Sequence, residues 1–190
     1  MTTYTARVVS VHVGLADTLG KQARDIIEVE LDGIVDDRHR GFTRACWEGD
    51  KQAEGTLRRN ERQWSAVAME ELAVITDGME LAAPLLASDL GVNFCLEGVP
   101  NLSRLPRGTQ LKFPSGAQLM VEEYNPPCSD MGEDIAAKYS AKTGAALAGS
   151  AFANAAKFSR GIVGVVEAPG RMAVGDEVII ETERLPRWLR

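Results

Sequence analysis

Cys128 closes the segment GAQLMVEEYNPPC, where an alternating run ends at two prolines and leaves a lone thiol just ahead of a predicted helix. Asp130 is placed to cap that helix, and Glu133, three residues on, completes a capping-box pattern. The unpaired amides of the first helical turn would then lie near the sulfur. Their partial positive field favours the thiolate, the form that ligates metals and reacts with electrophiles. The alternative reading of Cys128 is a small buried hydrophobe, the role that most free cysteines have.

The remaining chemistry-bearing residues narrow the choices. Cys46, Cys95 and Cys128 are an odd set without CxxC spacing, which argues against a disulfide framework and against a four-ligand zinc site. Two histidines, His12 and His39, are too few for a histidine-rich metal site. His12 alternates within a predicted strand and reads as structural. No serine–histidine–acid arrangement stands out, so hydrolysis is not expected.

At 190 residues, one domain with a substantial core is expected over 1–190. Lysine plus arginine number 21 against 27 aspartate plus glutamate, a net charge of −6, so the overall field gives no reason to expect nucleic-acid binding. A local arginine cluster can still hold a small anion at close range. The opening MTTYTARVVSVHVG has no charged segment followed by an apolar one, and no apolar stretch reaches membrane-spanning length. The expectation is a soluble, unexported, cytoplasmic protein with its thiols reduced.

Many short strands must position these residues. Thr5 to Val13 alternates and is rich in valine, and residues 25–31 repeat the pattern with Ile27, Val29 and Leu31 on one face, so the two are predicted to pair. Residues 32–63 are dense in charge and glycine and read as a long surface loop with short structured pieces. A strand over 64–67 is predicted to lead into a helix over 69–75, with a second short helix starting at Pro84. Residues 90–96 read as a strand, with Asn93 facing away from its apolar side. Residues 111–113 and 117–124 flank Pro114-Ser115-Gly116 as a hairpin. Alanine-rich residues 130–157 predict helices broken near Gly144 and Gly149, and residues 160–180 predict a second hairpin turning at 168–170. The terminal RLPRWLR reads as a surface tail or edge contact. The sum is a mainly β fold with short helices, and a closed or partly closed β-barrel leaves the fewest exposed edges.

Four segments, in order, resemble the MOSC family, a domain found at the C-terminus of molybdenum cofactor sulfurases and in small stand-alone proteins. GIVDDRHRG at 33–41 is similar to the family's Gly-Asp-Arg-His-x-Gly stretch, with Asp36 where glycine is usual. GVNFCLEGV at 91–99 is similar to its Gly-Glu-Asn-Leu stretch, with Val92 in place of the common glutamate. LPRGTQLKFPSGAQLMVEEYNPPC at 105–128 resembles the hairpin before the family's cysteine nearly throughout. SRGIVGVVEAPGRMAVGDEVII at 159–180 is similar to the closing segment.

The resemblance implies a pyruvate kinase-type β-barrel and a site for the molybdenum cofactor (molybdopterin), with Cys128 as metal ligand. A thiolate suits molybdenum held by a sulfur-rich dithiolene. The pterin's phosphate and ring edges would call on Arg38, His39, Arg40 and Arg160, and Asn93 would bond the pterin or fix a loop. The stand-alone relatives imply an oxidoreductase that reduces N-hydroxylated or related small substrates, supplied with electrons by a separate reductase protein because no flavin or iron–sulfur ligand pattern is present. Two other readings stay open: a non-catalytic carrier of cofactor or persulfide sulfur, and a barrel with no molybdenum role. The chain is too short for a complete cysteine desulfurase, and PLP is not expected.

Overall fold

The computed structural model describes residues 2–15 and 18–182, so the RLPRWLR terminus lies outside the described residues. In chain order the strands are β1 (Thr2–Val13), β2 (Gln22–Arg24), β3 (Ile26–Glu30), β4 (Gly33–Ile34), β5 (Thr43–Ala45), β6 (Leu57–Arg59) and β7 (Trp64–Ala68). Helix α1 (Met69–Gly78) follows, then β8 (Phe94–Glu97), β9 (Gln110–Lys112), β10 (Gln118–Tyr124), α2 (Ser129–Lys138), α3 (Gly149–Ala155), β11 (Ile162–Ala168), β12 (Gly170–Ala173) and β13 (Glu177–Thr182).

Seven strands run in the order β13–β9–β10–β11–β7–β8–β1, and pairing of β1 with β13 closes the ring. Only β7 and β8 are parallel, so the barrel is mixed. This is the expected closed, mainly β architecture with short helices. The alternation of β7 and β8 sorts side chains across the wall. Ala66, Ala68, Phe94 and Leu96 join Trp64, Leu111, Leu119, Ile162 and Ile180 in one core. Val67 and Cys95 join a second core made by Leu72 and Ile75 of α1, Met131 and Ile135 of α2, and Phe152 of α3. Buried Trp64 packs on Phe94, ring centres 5.5 Å apart, and donates from Nε1 to the Val165 carbonyl at 2.9 Å. No helix among the described residues is long and apolar enough to cross a membrane.

Several expectations fail for physical reasons. Residues 26–30 do not pair with β1. They pair with β12 and β4 in a small separate sheet, while β2 takes the edge of β1. Alternation reports which face is buried and says nothing of the partner; Ile27 and Val29 are indeed buried, but Leu31 is exposed. Residues 160–180 do not form a hairpin. Both edges of β11 are already filled by β10 and β7, so the chain leaves at Pro169 to build β12 against β3. No helix starts at Pro84; the chain runs irregularly there, with the amides of Leu85 and Leu86 donating to the side-chain oxygens of Thr76 and Tyr139, and only a turn follows over 87–91. Gly91, at φ 72, turns the chain before β8, which begins only at Phe94. Gly149 opens α3 instead of breaking a helix.

Candidate functional site

The strand that delivers Cys128 stops where its backbone can no longer pair. Asn125 makes the last bond, donating to the Gly161 carbonyl at 3.0 Å, and Pro126 and Pro127 have no amide to offer. Cys128 follows with extended backbone and is itself the N-cap of α2, its carbonyl accepting from Gly132. This corrects the expected cap: Asp130 lies inside the first turn, and Cys128 makes no side-chain capping bond. The thiol is exposed, whereas Cys46 and Cys95 are buried. Burial and the nearby carboxylates of Glu70, Glu71 and Glu97 push the Cys95 thiol up to about 12.

Cys128 opens onto a cleft of about 320 Å³ whose lining includes Arg38, His39, Asn93, Arg160, Arg62, Asn125 and Trp47. Residues scattered over 38–160 thus meet around one sulfur. Arg160 is held there by Gly161, whose φ of 98 suits glycine and where a Cβ would run into the Ala66 carbonyl. The Arg160 guanidinium is buried and donates from Nη2 to the Leu90 carbonyl at 3.0 Å, but its Nε and Nη1 find no acceptor among the described residues. Burial pushes this group down to about 10, with Cys128 acting in the opposite sense and Arg62 reinforcing the shift. It still carries its charge at neutral pH and is bonded by no carboxylate among the described residues, although Asp130 also lines the cleft.

The loop carrying Arg38 and His39 is tied down by Asp37. Its carboxylate is fully buried and accepts from Lys21 Nζ at 2.6 Å, Asn93 Nδ2 at 2.8 Å and the Gly14 amide at 2.9 Å on one oxygen. The other oxygen accepts from the His39 amide at 2.9 Å and meets His39 Nδ1 at 3.1 Å. Burial alone would raise the carboxyl. The bond to His39 and the charge of Lys21 outweigh it and hold Asp37 well below the usual carboxylate range. Lys21 is lowered to about 8, because its own burial outweighs the attraction of Asp37 while Arg38 and Arg160 repel it. Asp36, in the position where glycine is usual, adopts φ 63, so the left-handed turn is kept with a residue type that tolerates it.

Two sequence candidates behave differently from the rest. Asn93 lines the cleft, but its amide is committed to the frame: Nδ2 donates to His12 O and Asp37, and Oδ1 accepts from the Ser65 amide and hydroxyl. Of the two roles weighed for it, this geometry is that of fixing the loop. Arg40 is not among the residues lining the Cys128 cleft. Its Nε bonds both oxygens of Asp32 at 2.9 Å and its Nη2 bonds Glu30, which turns it into an adjoining recess. His12 is buried with Nδ1 3.0 Å from the Val92 carbonyl, as suits a structural residue.

Arg62, Asn125, Trp47 and Lys21 were not legible as site residues. Arg62 is half-buried, donates to Asn125 Oδ1 at 2.5 Å, and is lowered by burial against the pull of Glu123 and Glu61. Asn125 directly precedes the two prolines, which is the one signal that marked it. Arg62 and Trp47 sit in a charge-dense segment without periodicity. A larger recess of about 650 Å³ shares Trp47, Arg62 and Pro126 with the cleft and holds Glu122 between Arg59 and Arg107. Among the described residues, no three histidine, cysteine or acidic side chains gather as a metal-ligand set.

YuaD of Bacillus subtilis (strain 168), whose name assigns it to metal-sulfur cluster biosynthesis, is 33% identical over 180 residues, 94% of this chain and 91% of that protein. The crystal structure of the B. subtilis protein matches with a TM-score of 0.90 at 31% identity, over 96% of this chain and 99% of that one. YiiM from Geobacillus stearothermophilus shares the fold at a TM-score of 0.63 and 15% identity, covering 93% of this chain and 75% of that one. The MOSC domain profile matches residues 46–179, from directly after β5 to the middle of β13, including the Cys128 and Arg160 segments. With the barrel, the ordered motifs and these likenesses in agreement, the chain belongs to the MOSC domain family.

Proposed function

We propose that the cleft binds a molybdenum-bearing pterin, the molybdenum cofactor, with Cys128 as the protein's sulfur ligand, and that the protein reduces N-hydroxylated or related small substrates. One observation carries this reading: an exposed thiol at a helix N-terminus and a buried, acid-free guanidinium face the same cleft. The donor set fits the group. A single thiolate suits a soft metal that brings its other sulfur ligands with it, and Arg160 and Arg62 suit an anionic pterin with hydrogen-bonding edges. The cleft lies at the small end of the range for ligand pockets, and its side recesses extend it.

When bound, this group supplies the two-electron redox change. The chain's own residues do the rest. Cys128 anchors, Arg160 and Arg62 orient, and Asp37 holds the His39 ring at the cleft, where it can relay one of the two protons, the other coming from solvent, that with two electrons turn an N-hydroxyl into N–H and water. Electrons come from a separate reductase protein.

A second reading, in which Cys128 carries persulfide sulfur for delivery, is favoured by the exposure of the thiol and by the name of the B. subtilis relative. Metal analysis of protein made in cells able and unable to synthesise the cofactor tests the first reading. Near-stoichiometric molybdenum that vanishes in Cys128→Ala is expected. Molybdenum-free protein that gains one sulfur atom on Cys128, read by mass spectrometry, would overturn it in favour of the carrier. Turnover of a hydroxylamine-type substrate with a chemical reductant then separates an enzyme from a cofactor carrier.

A further inference from the structure

Beside the Cys128 cleft lies a recess of about 320 Å³ lined by Arg38, Arg40, Arg44, Arg62, His39 and Trp47 together with three small or neutral polar residues, and no aspartate or glutamate lines it. Four guanidinium groups line one small recess, and the carboxylates paired with two of them, Arg40 and Arg44, do not line it. Side chains that do not line the recess hold three of these arginines. Asp32 and Glu30 hold Arg40, Asp50 and Glu61 hold Arg44 at 2.6 and 2.5 Å, and Asn125 holds Arg62. Such backing fixes the planes of the forks and lowers the entropy lost when an anion is bound. Arg44 Nε, buried, has no acceptor among the described residues.

The recess and the cleft share Arg38, His39, Trp47 and Arg62, so one ligand can span both. Trp47 is 54% exposed and stands where the two meet. Its flat face is available to the middle of a ligand whose ends lie on either side.

We propose that this recess binds a phosphoryl group of the substrate, so that the protein acts on phosphorylated small molecules whose reducible end lies at Cys128. A phosphoryl dianion has three acceptor oxygens and close to two charges, so it meets more forks at once, and more strongly, than the two oxygens of a carboxylate. The proposal rests on the cofactor reading above and adds the substrate class. The same chemistry could instead serve a phosphate belonging to the cofactor, and the test separates the two.

Inorganic phosphate is titrated calorimetrically into wild-type and Arg40→Gln protein, each prepared without and with cofactor loading, in a non-anionic buffer at two salt concentrations. Saturable, salt-sensitive binding is expected in both preparations, weakened about tenfold in Arg40→Gln, while molybdenum content is unchanged by the substitution. Absence of saturable binding to the unloaded wild type overturns the proposal. Binding that disappears on loading overturns it too, since the phosphate would then be the cofactor's own. Thermal melts show whether Arg40→Gln has unfolded; if it has, Arg40→Lys, which keeps the charge and loses the fork, takes its place and is expected to weaken binding by less. If the protein takes up no molybdenum, the cofactor reading fails separately, and phosphate binding to the unloaded form still decides the recess.

Discussion

Lys21 Nζ lies 2.6 Å from Asp37 Oδ2, with both side chains sealed from solvent beneath the loop that carries Arg38 and His39. The pair ties the loop before β2 to the arginine loop, and through Asn93 it reaches the start of β8. Removing one partner leaves the other charge buried. Asp37→Asn is therefore expected to cost about 3–5 kcal/mol in urea unfolding at pH 7. The sign of the pH dependence follows from the depressed carboxyl. Its stabilisation is present above the unfolded-state value and is lost as pH falls below about 4 toward the much lower folded-state value. Wild type should lose stability on acidification across that range, and the same component should be missing from the Asp37→Asn profile. Parallel profiles would refute the assignment.

Thiol reactivity should follow exposure. Native protein treated with iodoacetamide at pH 8 is expected to take one label, on Cys128, with Cys46 and Cys95 labelled only after denaturation. Cys95 has a second reason for inertness, since burial and neighbouring acids keep its sulfur protonated. Peptide mapping reads the result, and Cys128→Ser should leave the native protein unlabelled.

The reach of sequence reasoning differed between elements. The 111–124 hairpin was legible because its partners are adjacent in the chain and its turn chemistry is explicit. The partners of β3 and β12, more than 130 residues apart, were not, because alternation marks a buried face and leaves the pairing open. Within the site, Cys128, Arg38, His39 and Arg160 lay in ordered motifs. Arg62 and Lys21 lay in stretches whose composition reads as surface, and only the fold buries them. Arg40 shows the opposite failure: it shares the motif but is turned away by acids on β3 and the turn after it.

Helix α2, which carries Cys128 at its cap, is positioned by a glycine contact. A Cβ on Gly132 would run into the backbone carbonyl of Gly149, where α3 crosses. Gly132→Ala should gain helix propensity but force the two helices apart, with a net loss of about 1–3 kcal/mol. Because the displaced helix bears the site, binding at Cys128 should weaken as well, whereas Ala136→Gly, on the same helix, should cost about 1 kcal/mol through propensity and leave binding unchanged. Chemical denaturation and metal content of both variants check this.

Arg160 should display the conflict between stability and function most directly. Its guanidinium is buried with two nitrogens unpaired, a cost the folded protein bears without a compensating acid. Replacing it by methionine, similar in length and apolar, removes that cost. Arg160→Met is therefore expected to be more stable than wild type by about 1–3 kcal/mol in the unloaded state. The same change should abolish retention of the anionic ligand, since no other fully buried cation borders Cys128 in the cleft among the described residues. If Arg160→Met proved less stable, the guanidinium would instead be serving the fold through its bond to the Leu90 carbonyl, and the cleft would lose its strongest reason to be read as an anion site.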